Sequence, residues 1–252
     1  MGNTNMMLCI CNQYSMCQEQ FPTHLSMPIG HLLGIYKFML SSISKYPLYA
    51  LYTFSPSLFM RRMQMKKSFG PKTLIYPTPV WLIGTYDKEG KPNAMTVAWC
   101  GVCSSQPPCV AVSIRKATYT HGNIVNRKAF TVNVPSASYV KQADYFGLFS
   151  GKSMDKFSAT GLTAVKGDKV DAPYIKEFPM ILECRLISSS EIGIHTQFIG
   201  QIIDAKADES VLGNNGLPDL SKVAPILYAP ETRIYYGVGA RLGQAHSIGK
   251  EI

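Results

Sequence analysis

From Val80 onward, apolar and polar positions alternate in short, β-branched runs separated by turn residues. VWLIGTY at 80–86 is apolar enough for a buried strand, Asp87-Lys-Glu-Gly90 reads as a turn, and Asn93 to Trp99 as the return strand. A loop ended by Pro107-Pro108 leads to the strand Cys109 to Ile114. A helix is predicted from about Thr120 to Arg127, followed by the strand FTVNV at 130–134. Ser136 to Phe149 has helical spacing, with Tyr139, Ala143, Phe146 and Phe149 toward the core. A loop at Ser150 to Ser153 and a short helical turn ending near Phe157 come next. MILECRLIS (180–188) and FIGQIIDAKA (198–207) predict a long hairpin around Glu191 to Thr196, and Arg233 to Val238 a late strand. Many short strands with two or three helices suit a mainly β fold, a small Greek-key barrel, rather than βαβ units.

The first 64 residues differ. They hold Lys37, Lys45, Arg61 and Arg62 against Glu19, a net charge of 4 − 1 = +3 from very few charges. Their apolar stretches are broken by Lys37, Lys45, Pro47 and Pro56, so neither gives the run of about twenty apolar residues that a spanning helix needs. Met65-Lys-Lys-Ser-Phe-Gly reads as a natural beginning. The expected organisation is therefore an atypical extension over 1–64, the product of an over-extended reading frame, and one domain over 65–252. A weak membrane-surface anchor is the alternative for the extension.

Composition narrows the function classes. Across 252 residues, 46% are hydrophobic and 16% charged, which describes a globular chain. The net charge of +9 is spread in ones and twos, whereas a nucleic-acid binder gathers Lys and Arg on one stripe. A basic nucleic-acid-binding barrel is thus disfavoured, although the excess by itself suits a phosphorylated cofactor as well as it suits RNA. Seven cysteines without framework spacing point to reduced thiols in a cytoplasm. Cys100-Gly-Val-Cys103 lies at a strand end, where no helix dipole lowers a thiol pKa, and its two positions would face opposite ways. No second ligand pair stands at zinc spacing, so no metal is expected.

Candidate chemistry concentrates where the apolar strand ending at Ile114 gives way to a helix. Ser113, Arg115, Lys116, Thr118, Tyr119 and Thr120 fall within eight positions. Free N–H groups at a helix start favour an anion, and Arg115 adds full charge, so a phosphate pocket is expected in preference to a solvated polar loop. His121, at the helix entry, is expected to donate to the phosphate or cap the turn. His195, within the predicted hairpin, is the best titratable candidate, although a water-facing role is equally compatible. Ser153-x-x-Lys156 lacks the companion motifs of acyl-transfer enzymes. Gly237-x-Gly239-x-x-x-Gly243 has the wrong last spacing for a dinucleotide fingerprint.

NAMTVAW, SSQPPCVAVSI, RKATYTHGNI, FTVNVP, SGKSMDKF and IGIHTQFIGQI, in this order, resemble the flavin reductase family, the FMN-binding split barrels that include flavoredoxins. The resemblance runs from about Met65 to the C-terminus. It implies a split β-barrel with bound FMN, its phosphate held by the segment from Ser113, Ile114, Arg115 and Lys116 to Tyr119 and Thr120. It implies further that Met95, Thr96, Val97, Ala98 and Trp99 run beside the isoalloxazine. By the same resemblance, Ser150 and Gly151 belong to a loop closing on the cofactor, Lys156 sits near the ring or phosphate, and His195 stands where the electron partner approaches. The implied activity is transfer of a hydride from NAD(P)H to flavin and on to a small-molecule acceptor or redox protein, as a flavin or ferric reductase. A flavoredoxin-type carrier without its own NAD(P)H activity is the alternative. A twofold homodimer is implied as well.

Overall fold

The computed structural model describes residues 66–252. The expectations for 1–64 and for a start at Met65 lie outside the described residues. The chain divides into Met1–Phe69 and Gly70–Ile252, and the second unit carries everything that follows.

Its main sheet has seven strands: β2 (Trp81–Tyr86), β3 (Pro92–Val97), β4 (Cys100–Ser105), β5 (Pro108–Arg115), β6 (Ala129–Val134), β9 (Met180–Ile192) and β10 (His195–Ala207). Their order is β3-β2-β6-β9-β10-β5-β4, and every neighbouring pair is antiparallel. The two ends of this sheet, β3 and β4, are consecutive in the chain and separated only by the bend Ala98-Trp99. A sheet whose end strands are joined by two residues must curl round on itself. At that seam the β4–β5 ladder runs one rung past Cys100, the Ser113 N–H donating to the Trp99 carbonyl at 2.8 Å. The result is a barrel with a split side, as expected.

Alternation along the strands fills the interior. Ile83, Val97, Val110, Val112, Ile114, Phe130, Val132, Cys184 and Phe198 are buried inside with Ile124 of helix α1 (Tyr119–Arg127). Gly200 is required there: a Cβ at this position would lie 2.3 Å from Phe130 Cζ, and the β9–β10 register shifts beside it. A second core lies on the other face of β2 and β3. It joins Val80, Leu82 and Ala94 to Ala143 and Phe146 of helix α2 (Val140–Leu148) and to Phe157 of helix α3 (Lys156–Thr160). Buried Asn133 ties the layers, donating to Leu82 O at 3.0 Å and accepting from Ile175 N at 2.8 Å. Small accessory sheets complete the unit: β1 (Thr78–Pro79) with β11 (Leu227–Ala229) and β12 (Ile234–Tyr236), and β7 (Ala164–Lys166) with β8 (Pro173–Ile175).

Several boundaries move. The stretch expected to be a loop before Pro107 is mostly the edge strand β4; its small and polar residues carry little β signal, and pairing to β5 alone orders it. The hairpin extends to its limit, with only Gly193 (φ +55) and Ile194 in the turn. Helix α3 begins at Lys156, capped by the Asp155 carboxylate on Ser158 N at 3.2 Å, instead of ending near Phe157. Phe149 ends α2 in extended backbone and stands 42% exposed against Tyr145, outside the core expected of it. The late strand is only three residues long.

Candidate cofactor site

The junction of β5 and α1 forms as local chemistry dictates. Thr118 caps the helix, its Oγ1 accepting from His121 N at 3.4 Å while donating to Arg115 O at 2.9 Å. The chain thus turns sharply just after Arg115. Ser113 and Arg115 pair with Gln197 and His195 across the β5–β10 ladder, so these four side chains share one face. Buried Ile114 and Thr196 face the other way, into the barrel. Arg115 is exposed, and its guanidinium has no partner among the described residues. Lys116 does have one: its Nζ lies 2.7 Å from Glu191 Oε2, and an anion would have to compete with that carboxylate.

Strand β3 brings the second part. As the sheet edge, its far side has no strand partner among the described residues, so a row of backbone N–H and C=O groups is open along Met95 to Val97. Thr96 turns its hydroxyl to the Ala143 carbonyl of α2, while Met95 and Val97 pack toward the barrel interior. Ala98 and half-buried Trp99 form the bend, held against Ser113.

The third part is the loop 150–153. Gly151 lies so close to β3 that a Cβ on it would sit 2.0 Å from Asn93 Oδ1 and 3.3 Å from the Tyr119 ring. Ser150 folds the loop back, its carbonyl accepting from Ser153 N at 3.2 Å and Met154 N at 3.1 Å. Buried Asn93 donates to Thr120 Oγ1 at 2.9 Å, whereas its Oδ1 has no donor among the described residues. Tyr119 Oη donates to Asp87 Oδ2 at 2.8 Å. The structure therefore gathers β3, the first turn of α1 and the 150–153 loop, but the Tyr119 and Thr120 side chains face the β2–β3 hairpin rather than solvent.

Two further residues stand elsewhere than expected. Lys156 is buried; its Nζ donates to Phe146 O at 3.1 Å and lies over the Phe146 ring. Burial pushes its pKa down to about 8. This ammonium is committed to α2 and does not reach the β5–α1 junction. His121 Nε2 lies 2.9 Å from Thr196 Oγ1, with its ring against Phe198, so it closes one end of the barrel and is no phosphate donor. Desolvation, then the charge of Lys116, lowers its pKa. Its backbone N–H, not its side chain, takes part in capping.

Sequence reasoning passed over Asn93 and Asp87. The signal for Asn93 was present: in the β3 alternation it occupies an inward position with Met95 and Val97, where an amide needs partners. No cluster of three or more metal-ligating side chains occurs among the described residues. No helix among them is long and apolar enough to cross a membrane.

The residues present fit a flavin mononucleotide. Among the described residues, an arginine without a side-chain partner stands at a helix start, the first turn of that helix meets the edge strand β3 through Thr120 and Asn93, and the buried acceptor Asn93 Oδ1 still lacks a donor. Comparison with known proteins points to a flavin. The family model for the flavin reductase like domain matches residues 73–234. The structure of flavoredoxin from Desulfovibrio vulgaris (Miyazaki F) is 56% identical, with a TM-score of 0.71 over 73% of this chain and 100% of that one. Flavoredoxin from Methanosarcina acetivorans is 35% identical, with a TM-score of 0.70 over 74% of this chain and 98% of that one. An NADH-dependent FAD reductase of Streptomyces globisporus is 30% identical over 159 residues, 62% of this chain and 83% of its own length. The chain belongs to the flavin reductase-like family of flavin-binding oxidoreductases.

Proposed function

We propose that this protein holds FMN between the β3 edge and the β5–α1 junction, and that it moves a hydride from NADH or NADPH to an electron acceptor. The observation that carries this reading is the meeting of three segments: Asn93 of the edge strand β3 touches Thr120 in the first turn of α1 and Gly151 of the 150–153 loop, and Arg115, whose guanidinium has no partner among the described residues, stands just before that turn. Arg115, Ser113 and the first turn of α1 would hold the phosphate, with Lys116 available once it leaves Glu191. Met95, Thr96, Val97, Ala98 and Trp99 would border the ring, and Ser150 and Gly151 would cover it. When bound, FMN supplies reversible two-electron chemistry. The chain's own part is to orient the reactants and exclude water, since hydride transfer depends on alignment and not on a protein acid. His195 shares a face with Arg115 and Ser113, and there it would meet the nicotinamide or another electron partner.

The name of the Streptomyces relative supports NADH as donor. A second reading, a carrier that exchanges electrons with redox proteins, is favoured by the 56% identity to a flavoredoxin. A twofold homodimer, which would bury uncovered barrel edges, accompanies either reading. Anaerobic mixing with NADH and then NADPH separates them. Prompt bleaching of the yellow cofactor supports the reductase, and bleaching by dithionite alone supports the carrier. A colourless protein that takes up no FMN on reconstitution overturns both.

A further inference from the structure

Strand β4 contains an irregularity that changes what its cysteines can do. Val102 pairs with Val110 and Ser104 with Cys109, so a bulge sets both Cys103 and Ser104 opposite Cys109. Opposed residues of an antiparallel ladder have Cα atoms about 4.5–5.5 Å apart, within the roughly 4.4–6.8 Å that a disulfide spans. Cys103 is exposed and Cys109 is buried, and both are free thiols. The other two cysteines of the domain are poor competitors. Cys100 pairs with Val112 and points its sulfur at Val97 O; burial pushes its thiol up to about 12. Cys184 lies fully buried in β9, and burial above all pushes its thiol up to about 12 too.

We propose that Cys103 and Cys109 are a redox modification site, forming a reversible cross-strand disulfide when a low-molecular-weight disulfide such as oxidised glutathione is the oxidant. The Cys103 thiolate attacks one glutathione sulfur, releasing one glutathione thiolate and leaving a mixed disulfide on Cys103. The Cys109 thiolate then attacks the Cys103 sulfur and releases the second glutathione. Two protein thiols are oxidised, one glutathione disulfide is reduced to two thiols, and the two thiol protons go to the departing glutathiones or to solvent. Cys103 is the entry point because it alone of the pair is exposed. The bridge would pin the edge strand β4, which among the described residues pairs only with β5, a few residues beyond the bend at Trp99. This pairing differs from the Cys100–Cys103 motif, whose members the strand separates, and it does not depend on which electron donor the flavin uses.

The test is alkylation mapping of the full chain, with bound flavin where present, after equilibration in glutathione buffers from reduced to fully oxidised. Trypsin gives one peptide, 89–115, that contains Cys100, Cys103 and Cys109 and none of the remaining cysteines. The expected product is this peptide lighter by two hydrogen atoms, alkylated at Cys100 only, and returned to three alkylated positions by dithiothreitol. Cys103→Ser, at an exposed position, must abolish the protection, and Cys100→Ser must retain it. Glutathione remaining on Cys103 with Cys109 still alkylatable, a Cys100–Cys103 bridge, or full alkylation in fully oxidised glutathione would each overturn the proposal.

Discussion

The Tyr119 hydroxyl donates to the Asp87 carboxylate at 2.8 Å, fastening the first turn of α1 to the β2–β3 turn. Asp87 also accepts from Lys91 N at 2.8 Å. Burial alone would raise the Asp87 carboxyl, but these hydrogen bonds prevail and hold it below the usual carboxylate range. Tyr119 is correspondingly pushed up to about 12, chiefly by its bond to Asp87. Tyr119→Phe is expected to destabilise the domain by about 1.5 kcal/mol, the lower range for a hydrogen bond to a charged acceptor. Because the folded-state pKa of Asp87 is depressed, its contribution is complete above the ordinary carboxylate pKa and vanishes as pH falls through the lowered value. Urea unfolding at neutral pH should show the deficit, and the same comparison in acid should show it shrink. An undiminished difference in acid would reject the assignment.

Glu183 anchors the 167–170 loop. Its side chain is fully buried and accepts from Asp168 N at 3.2 Å, Lys169 N at 2.7 Å, Val170 N at 3.1 Å and Lys206 Nζ at 2.6 Å. Burial opposes ionisation, yet these donors win and the carboxyl titrates low. Glu183→Gln keeps the shape but loses the charge, and is expected to cost about 2 kcal/mol. Chemical denaturation checks this; a change within error would mean that the loop holds without the carboxylate.

Lys156 gives the opposite pH sign. A buried cation whose pKa is lowered to about 8 makes the folded state bind fewer protons than the unfolded chain. Its penalty, roughly 3 kcal/mol at neutral pH, fades as pH rises from that value toward the ordinary lysine pKa near 10.5. Lys156→Met should therefore be more stable than the parent at pH 7, with the gap closing by about pH 10. Parallel melts of the two flavin-free proteins across this range read the effect directly.

Arg115→Ala should weaken FMN binding about 10- to 100-fold, the loss of one charge-assisted hydrogen bond to phosphate, while riboflavin binding stays unchanged. Flavin fluorescence titration distinguishes the two ligands. Equal losses for both would place Arg115 away from the phosphate.

Gly151→Ala should act through the close approach to Asn93. The added methyl would lie 2.0 Å from Oδ1, so the 150–153 loop must shift away from β3. The expected result is a several-fold faster release of FMN with a melting temperature of the flavin-free protein that stays within about 2 °C, as for a surface-loop change. Stopped-flow release measured beside a melt decides it; unchanged release would remove the loop from the site.

How legible this was in the sequence depended on how locally each element is determined. The strands at 81–86, 129–134 and 180–207 stood out because β-branched residues recur with period two. Helix α1 did so because Thr118 and the polar first turn announce a start. β4 was opaque: CGVCSS has no pattern, and its pairing with Pro108 to Val112 on the neighbouring strand makes it a strand. The site was readable as a set of segments and not as directions. Ser113 and Arg115 share a face with His195 because of a ladder between residues 80 positions apart, a register that local spacing cannot express. For the same reason Lys156 and His121, polar letters beside a phosphate-like motif, turned out to serve α2 and Thr196.

The Ala98-Trp99 bend has a kinetic corollary. The sheet's two ends, β3 and β4, meet through this two-residue bend, and beside it the Ser113 amide bonded to Trp99 is the last rung of the β4–β5 ladder. Breathing of the barrel wall must begin where a ladder ends, so this amide should exchange with deuterium sooner than those of the β9–β10 ladder. Fraying at that rung would loosen the bend while leaving the longer β9–β10 ladder intact.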